Sequence, residues 1–370
     1  MGTSEVKHVF RSIWILLTLL LTAATIAASF SGNYHPSNAY FVSMLGLATP
    51  VLLIFNVVAC VYWLLTKRKY WAVLPLVALG FNTHYLKSVF QWNSQHRIPE
   101  EQHADNPEPD GYLKVVTYNV QHFGTEITGY SAKNLAEYLE EQGVDILCFQ
   151  EFDGNRYFSL DSLRHVFAHW KYGTLATHEA TQSILPIVVF SRYPIADSRI
   201  IRYDNSANSS LLCDVLLKTD TIRIINNHLQ TTSVSQNRGR LERGLADQND
   251  RKKAKAMRSF VDALHQNDIK RANQTDSICR LIEESPYPVI ACGDFNSLPS
   301  SYTYHKMNNL LQDGFRSSGR GYMYTFRYYK RLLRIDYIFH SPSLEGLYYY
   351  SPSLTLNSDH NPVLMELRYR

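Results

Sequence analysis

Three short runs carry the side chains best suited to chemistry: Gly293-Asp294-Phe295-Asn296, Arg334-Ile335-Asp336-Tyr337 and Ser358-Asp359-His360-Asn361-Pro362. Each places carboxylate, amide or imidazole groups at the end of an apolar stretch. Asp294 and Asn296 are two residues apart, so extended backbone points both to one side. Asp359 and His360 are adjacent, so a turn must present both. Asn119, Glu151 and His228 follow or close other apolar stretches in the same way. Taken singly, each has a plain explanation: an Asp before a turn is commonly a turn former. Together, acid, amide and imidazole groups gathered at strand ends suit metal-assisted attack of water on a phosphodiester. No serine or cysteine sits in a strand-to-helix elbow beside a histidine, which argues against a covalent acyl or phosphoryl route.

The elements that must position these groups are short strands. Residues 114–120 alternate and are β-branched, as a strand requires. Residues 132–141 have helical spacing and are followed by Gly143 as a stop. Further strands are expected over 144–149, 187–190, 211–217, 222–226, 289–292, 335–339 and 363–367. Helices are fewer than strands and do not strictly alternate with them. The expected fold class is therefore α/β (α+β), with two packed mixed sheets and helices outside. Residues 231–285 are long, polar and helical in pattern, and rich in Arg and Lys. They read either as a solvated helical face or as a patch for a polyanion or anionic headgroups. Tyr322, Tyr324, Tyr328 and Tyr329 could stack on bases or pack on a sheet face.

At this point the chain, over residues 113–367, resembles the endonuclease/exonuclease/phosphatase superfamily, which includes deoxyribonuclease I, exonuclease III and neutral sphingomyelinase. The matching runs are Thr117-Tyr118-Asn119-Val120, Phe149-Gln150-Glu151, Asn227-His228-Leu229 and the three named above, in family order. The resemblance implies a four-layered α/β sandwich with its active site at one end of the sheets. It implies that Glu151 is the principal Mg²⁺ ligand, with Asn119 nearby and Asp359 completing the acidic shell; Mn²⁺ would also suit such oxygen ligands. Asp294 would activate or orient the water, and Asn296 would hold it or a phosphate oxygen. His228 and His360 would meet the non-bridging oxygens, and Asp336 would fix the tautomer of His360. Asn119, Asn296, His228 and His360 are thus also the expected substrate contacts.

The first third of the chain reads differently. Residues 13–30 and 39–66 are almost unbroken apolar sequence, and 70–85 form a weaker third stretch broken by Pro75, Gly80 and Asn82. Each approaches the roughly 20 residues that cross a bilayer as a helix. Trp14, Trp63, Trp71 and Trp92 lie near their ends, where an aromatic belt would sit. Lys7 and Arg11 precede the first stretch and Lys67, Arg68 and Lys69 follow the second, which puts both on the cytoplasmic side. Three spans would leave the remainder outside the cytoplasm. A cleavable signal peptide is the competing reading of the first stretch, but its apolar run is long for one and more apolar segments follow. Residues 93–110, with Pro99, Pro107 and Pro109, have linker composition.

The expected organisation is a transmembrane unit over 1–92, a linker over 93–110 and a catalytic domain over 111–370. The expected protein is a multi-pass, membrane-embedded phosphodiesterase (or phosphomonoesterase) facing the extracytoplasmic side. Its substrate would be a phospholipid headgroup or a nucleic acid, and no protein partner is predicted. A nuclease, or an inactive binding module of the same fold, are the alternatives. The net charge of +4 permits an acidic substrate without requiring one. None of the five cysteines has the spacing of a zinc site.

Overall fold

The computed structural model describes residues 3–92, 111–176, 184–232, 234–247 and 249–369. The expected linker, 93–110, lies outside the described residues. The chain separates into two compact units, one made of residues 1–88 with 298–305 and the other of 89–297 with 306–370.

The first unit holds the helices α1 (Thr3–Ser29), α2 (Tyr40–Leu47), α3 (Thr49–Leu65) and α4 (Val73–Phe81), and most of α5 (Thr83–Val89). Residues His8–Asn33 form one helical stretch, long and apolar enough to cross a membrane. The second expected span is instead a bent pair, α2 and α3, meeting at 69°. Pro50 in the first turn of α3 accounts for the break, because it has no N–H to continue the α2 ladder. The third expected span is shorter: the apolar helix Lys69–Phe81 ends at Asn82, whose amide donates to the carbonyls of Ala78 and Thr25.

Polar side chains tie these helices together. Trp63 Nε1 donates to Thr18 Oγ1 at 2.9 Å, and Asn56 Nδ2 to Thr25 Oγ1 at 2.7 Å. Trp63 is therefore buried rather than part of an aromatic belt. Large apolar side chains elsewhere are exposed, Leu16, Leu20, Phe55 and Val58 among them. The segment 298–305 is held here as well: Ser31 Oγ donates to the Ser300 carbonyl at 2.6 Å, and Ser300 Oγ to the Gly46 carbonyl at 2.7 Å.

The second unit is built in chain order from β1 (Phe90–Trp92), β2 (Tyr112–Asn119), α6 (Tyr130–Glu141), β3 (Ile146–Gln150), α7 (Leu160–Val166), β4 (Tyr172–Ala176), β5 (Ile187–Ser191), β6 (Ile195–Arg202), β7 (Ser209–Leu216) and β8 (Thr221–His228). It continues with α8 (Val234–Leu245), α9 (Asp250–Glu283), β9 (Val289–Asp294), the later part of α10 (Tyr302–Leu310), β10 (Gln312–Asp313), α11 (Gly314–Ser318), β11 (Arg320–Tyr322), β12 (Asp336–His340), β13 (Glu345–Tyr350) and β14 (Val363–Arg368). Two six-stranded sheets have the orders β10-β12-β9-β8-β7-β6 and β13-β14-β2-β3-β5-β4. Both are mixed: β8 runs parallel to β9 and β2 parallel to β3, and the other pairs are antiparallel.

The fold is thus an α/β sandwich of two packed sheets. Leu113, Val115, Ile146 and Cys148 of one sheet meet Cys213, Ile224, Ile290 and Cys292 of the other in the central core. The other face of β2 and β3 packs Val116, Leu147 and Phe149 under Leu135 and Leu139 of α6. Strands covered on both faces explain why 146–149 reads as an unbroken apolar run. All five cysteines are buried free thiols.

Candidate active site

Register brings the functional groups to one end of the sandwich. β8 and β9 are parallel and pair His228 with Asp294, so both strands finish at the same edge. β12 is antiparallel to β9 and pairs Asp336 with Asp294, so its first residue reaches the edge where β9 ends. β2 and β3 are likewise parallel and pair Asn119 with Gln150, which sets Glu151 one residue beyond the strand.

Backbone geometry tightens the cluster. Gly293 has φ +132°, and a Cβ there would lie 1.9 Å from the Asn227 carbonyl oxygen, so only glycine lets β9 lie this close to β8. Glu151 and Asn296 adopt left-handed backbone, with φ +54° and +49°. Non-glycine residues held there cost of order 1–3 kcal/mol each and concentrate at functional sites.

Asn119 is the hub. Its Nδ2 donates to Asp294 Oδ2 at 3.1 Å and to Glu151 Oε1 at 3.2 Å, so two carboxylates from different sheets share one amide. Asp294 Oδ1 accepts the backbone N–H of Asn296 at 2.9 Å. Asn296 Nδ2 is engaged by the Leu229 carbonyl at 3.1 Å. His228 is fully buried, and neither ring nitrogen has a hydrogen-bond partner. Its Nε2 faces Glu151 Oε1 at 3.7 Å and Asp294 Oδ2 at 3.9 Å. His360 Nδ1 donates to Asp336, at 2.9 Å to Oδ2 and 3.1 Å to Oδ1. Its Nε2 lies 3.7 Å from Asp294 Oδ2 and 3.7 Å from Asp359 Oδ1. All eight residues singled out in the sequence therefore meet in one cluster.

Charge in this buried space is strongly shifted. Burial raises the Asp294 carboxyl to about 7, against the opposing pull of His360. Burial alone would depress His360, but the Asp336 and Asp294 carboxylates outweigh it and raise the imidazole to about 10. Burial lowers His228 and raises Asp359. Near neutral pH the site thus pairs a cationic His360 with a neutral His228, and burial makes the Asp294 carboxylate more basic than an exposed one.

Asp294, Asp336 and His360 present ligand atoms within 4.8 Å of one another, a grouping that could hold an ion. The hydrogen bonds argue otherwise for that trio. Asp336 commits both oxygens to His360 Nδ1, which leaves this trio fewer free donor atoms. The carboxylate side of Asn119, with Glu151 and Asp359, offers hard oxygen donors of the kind divalent cations take.

Several contributors escaped sequence reasoning. His122 Nε2 stands 3.5 Å from Glu151 Oε2, on a loop where Gln121, His122, Phe123 and Thr125 all have positive φ. Gln150 Nε2 donates to Asn226 Oδ1 at 2.6 Å, bridging the two sheets directly beneath the cluster. Ser358 Oγ donates to the Asn119 carbonyl and accepts the His360 N–H. Ser358 stands inside a quoted motif, so its place was within reach; His122 had no signal beyond its proximity to Asn119. Tyr322, Tyr328 and Tyr329 are substantially exposed. Phe326 packs edge-on to His360 with Tyr329 stacked beyond it.

Comparison with known proteins agrees with this fold. The family model described as Endonuclease/Exonuclease/phosphatase family matches residues 116–360. The chain belongs to the endonuclease/exonuclease/phosphatase family. Membership supports hydrolysis of phosphodiester bonds in general. A second model, Domain of unknown function (DUF8431), matches residues 11–89. Among solved structures, the endonuclease/exonuclease/phosphatase from Bacteroides vulgatus is similar at TM-score 0.52 and 18% identity, covering 70% of this chain and 99% of that one. D. rerio TDP2 complexed with single strand DNA product is similar at TM-score 0.51 and 14% identity, covering 70% and 100%. At these identities the likeness shows the fold. No curated protein matches the chain.

Proposed function

We propose that this chain is a membrane-anchored, divalent-metal-dependent phosphodiesterase that hydrolyses its substrate with an activated water. The observation that carries this reading is the convergence of Asn119, Glu151, His228, Asp294, Asp336 and His360, from both sheets, on a single buried amide-bridged cluster. Glu151, Asn119 and Asp359 would hold Mg²⁺ or Mn²⁺. Such an ion supplies neutralisation of the phosphoryl charge and orientation of its oxygens.

The chain's own residues do the rest. Asp294 Oδ2 takes the proton of the attacking water; a base with a pKa near the working pH is the most effective. Asn296 is fixed beside it, its side chain anchored on Leu229, and presents its amide to a phosphate oxygen. His360 keeps its charge because Asp336 holds Nδ1–H, which leaves Nε2–H to meet developing negative charge. His228, with no internal hydrogen-bond partner, donates to a second oxygen.

Anchoring is supported by the apolar stretch His8–Asn33 and by the exposed apolar side chains of α1 and α3. In the proposed organisation 1–92 is the membrane unit, 93–110 the linker and 111–370 the catalytic domain. The positive charges of Lys7, Arg11 and residues 67–69 support a topology with the amino terminus and the 67–69 turn in the cytoplasm and the catalytic domain outside it. Attachment to a bilayer raises the effective concentration of lipid substrates, so a phospholipid headgroup is the proposed substrate class. A parallel hydrolysis screen of sphingomyelin, phosphoinositides, plasmid DNA and RNA tests this. Turnover confined to the nucleic acids would replace the lipid reading with that of a nuclease. A reporter fused at Arg370 tests sidedness, and a cytoplasmic signal would refute the three-span topology.

A further inference from the structure

The α8–α9 hairpin is inserted between β8 and β9, the strands that deliver His228 and Asp294. Because those strands are parallel, α9 must return from the active-site end of the sheet to its opposite end. The contacts show where along α9 the return begins. Asn267 Nδ2 donates to the Thr232 carbonyl, Arg271 Nη1 to the Gln230 carbonyl, and Gln274 Oε1 accepts the Gln230 N–H. These partners lie two to four residues past His228. Every buried residue of α9, from His265 to Ile282, belongs to this half of the helix. The stretch before it, residues 250–264, holds no buried residue and therefore runs on past the active-site end of the sheet for about 20 Å at 1.5 Å per residue.

That overhang carries the charge. Arg251, Lys255 and Arg258 are exposed, and their spacing of four and three residues lines them along one face. Lys252 and Lys253 are offset by Asp247 and Asp250. Arg243 of α8 is also exposed, and α8 lies against α9 where a Cβ on Gly244 would come within 2.3 Å of the Ala256 Cβ. Met257 and Leu245 stand exposed among these cations. Arg271, part of the same basic sequence run, is instead fully buried and paired with Asp268.

We infer that the overhanging half of the α8–α9 hairpin is a docking surface for anionic phospholipid headgroups at a bilayer surface. Basic side chains interspersed with exposed apolar ones form the pattern of interfacial helices. No exposed aromatic accompanies them in 250–262, so the stacking platform that single-stranded nucleic acid requires is missing there. The surface projects on the side of the sheet where the catalytic groups end, so docking would bring headgroups towards them. The inference uses the membrane attachment of the proposed function but not its chemistry.

The test uses full-length protein in nanodiscs of phosphatidylcholine alone, or with about a third phosphatidylglycerol. Amide hydrogen exchange is followed over 250–262. Exchange should slow in the anionic discs and recover at about 0.5 M salt, where charges are screened within a few ångströms. The triple variant R251Q/K255Q/R258Q should lose about a hundredfold in affinity for anionic discs, at about one kcal/mol per basic residue. It should still hydrolyse bis-p-nitrophenyl phosphate at the wild-type rate. Equal exchange in both lipids overturns the inference. Protection by a DNA duplex in phosphatidylcholine discs, without protection by phosphatidylglycerol, also overturns it and assigns the surface to nucleic acid. If the chain fails to co-elute with discs, the anchoring reading fails; the same discs added as separate particles still test the hairpin.

Discussion

Asp336→Asn removes the charge that holds His360 in its catalytic state while leaving the side-chain volume almost unchanged. In the native site both Asp336 oxygens accept from Nδ1, at 2.9 and 3.1 Å, with both residues buried. A hydrogen bond between charged groups contributes about 1.5–3 kcal/mol. At 1.36 kcal/mol per tenfold in rate, losing it should slow the reaction about 10- to 100-fold. The pH profile separates this from a merely loosened site. His360 stands at about 10 because Asp336 and Asp294 outweigh burial. A raised imidazole pKa means the charged form persists as pH rises and is lost only through that value. Without Asp336 the loss moves down towards the ordinary range near 6.5. The assay is kcat/KM for bis-p-nitrophenyl phosphate between pH 5.5 and about 10, since this parameter reports the free enzyme. The ratio of variant to wild type should fall steadily above neutrality, on top of the loss of the hydrogen bond, and level off at the acid end of the range, where His360 is charged in both proteins. A ratio independent of pH would refute the assignment of Asp336 as the residue that keeps His360 charged.

Other perturbations follow from the same geometry. Asp294→Ala and His360→Ala should each reduce turnover by at least about 10²-fold with the fold retained by circular dichroism; near-native activity in either would reject the role given to that residue. Gly293→Ala forces a Cβ onto the Asn227 carbonyl and should destabilise the catalytic domain by at least about 3 kcal/mol, seen as a large fall in Tm or loss of soluble protein. Asn226→Ala strips Gln150 Nε2 of its 2.6 Å partner and should cost about 1–3 kcal/mol in thermal unfolding.

The cluster was legible because its members sit at the ends of apolar strands, and strand ends sharing an edge converge whatever their separation in sequence. Asn119, Glu151, His228 and Asp294 all follow this rule. Asp336 obeys it in reverse, opening a strand antiparallel to β9. Less was legible where backbone departs from regular structure. His122 reaches Glu151 through a run of left-handed residues that no periodicity announces. The strands β4, β6 and β13 were missed because their faces are largely exposed or half-buried and carry little apolar pattern. In the amino-terminal unit, hydropathy marked apolar segments but not the 69° break between α2 and α3. Composition placed Trp63 at an interface, whereas a hydrogen bond to Thr18 buries it. Arg271 shows the same limit, since a charge run does not reveal which member turns inward.

The claim on which the rest depends is that oxygen ligands around Glu151 hold a divalent ion required for phosphodiester hydrolysis. The most direct measurement is turnover of bis-p-nitrophenyl phosphate by the full-length protein after EDTA and during back-titration with Mg²⁺, for the wild type and Glu151→Gln. Activity should vanish in EDTA and return with Mg²⁺, and the variant should need far more ion to recover. Full turnover in excess EDTA, or none with any divalent ion, would contradict the account.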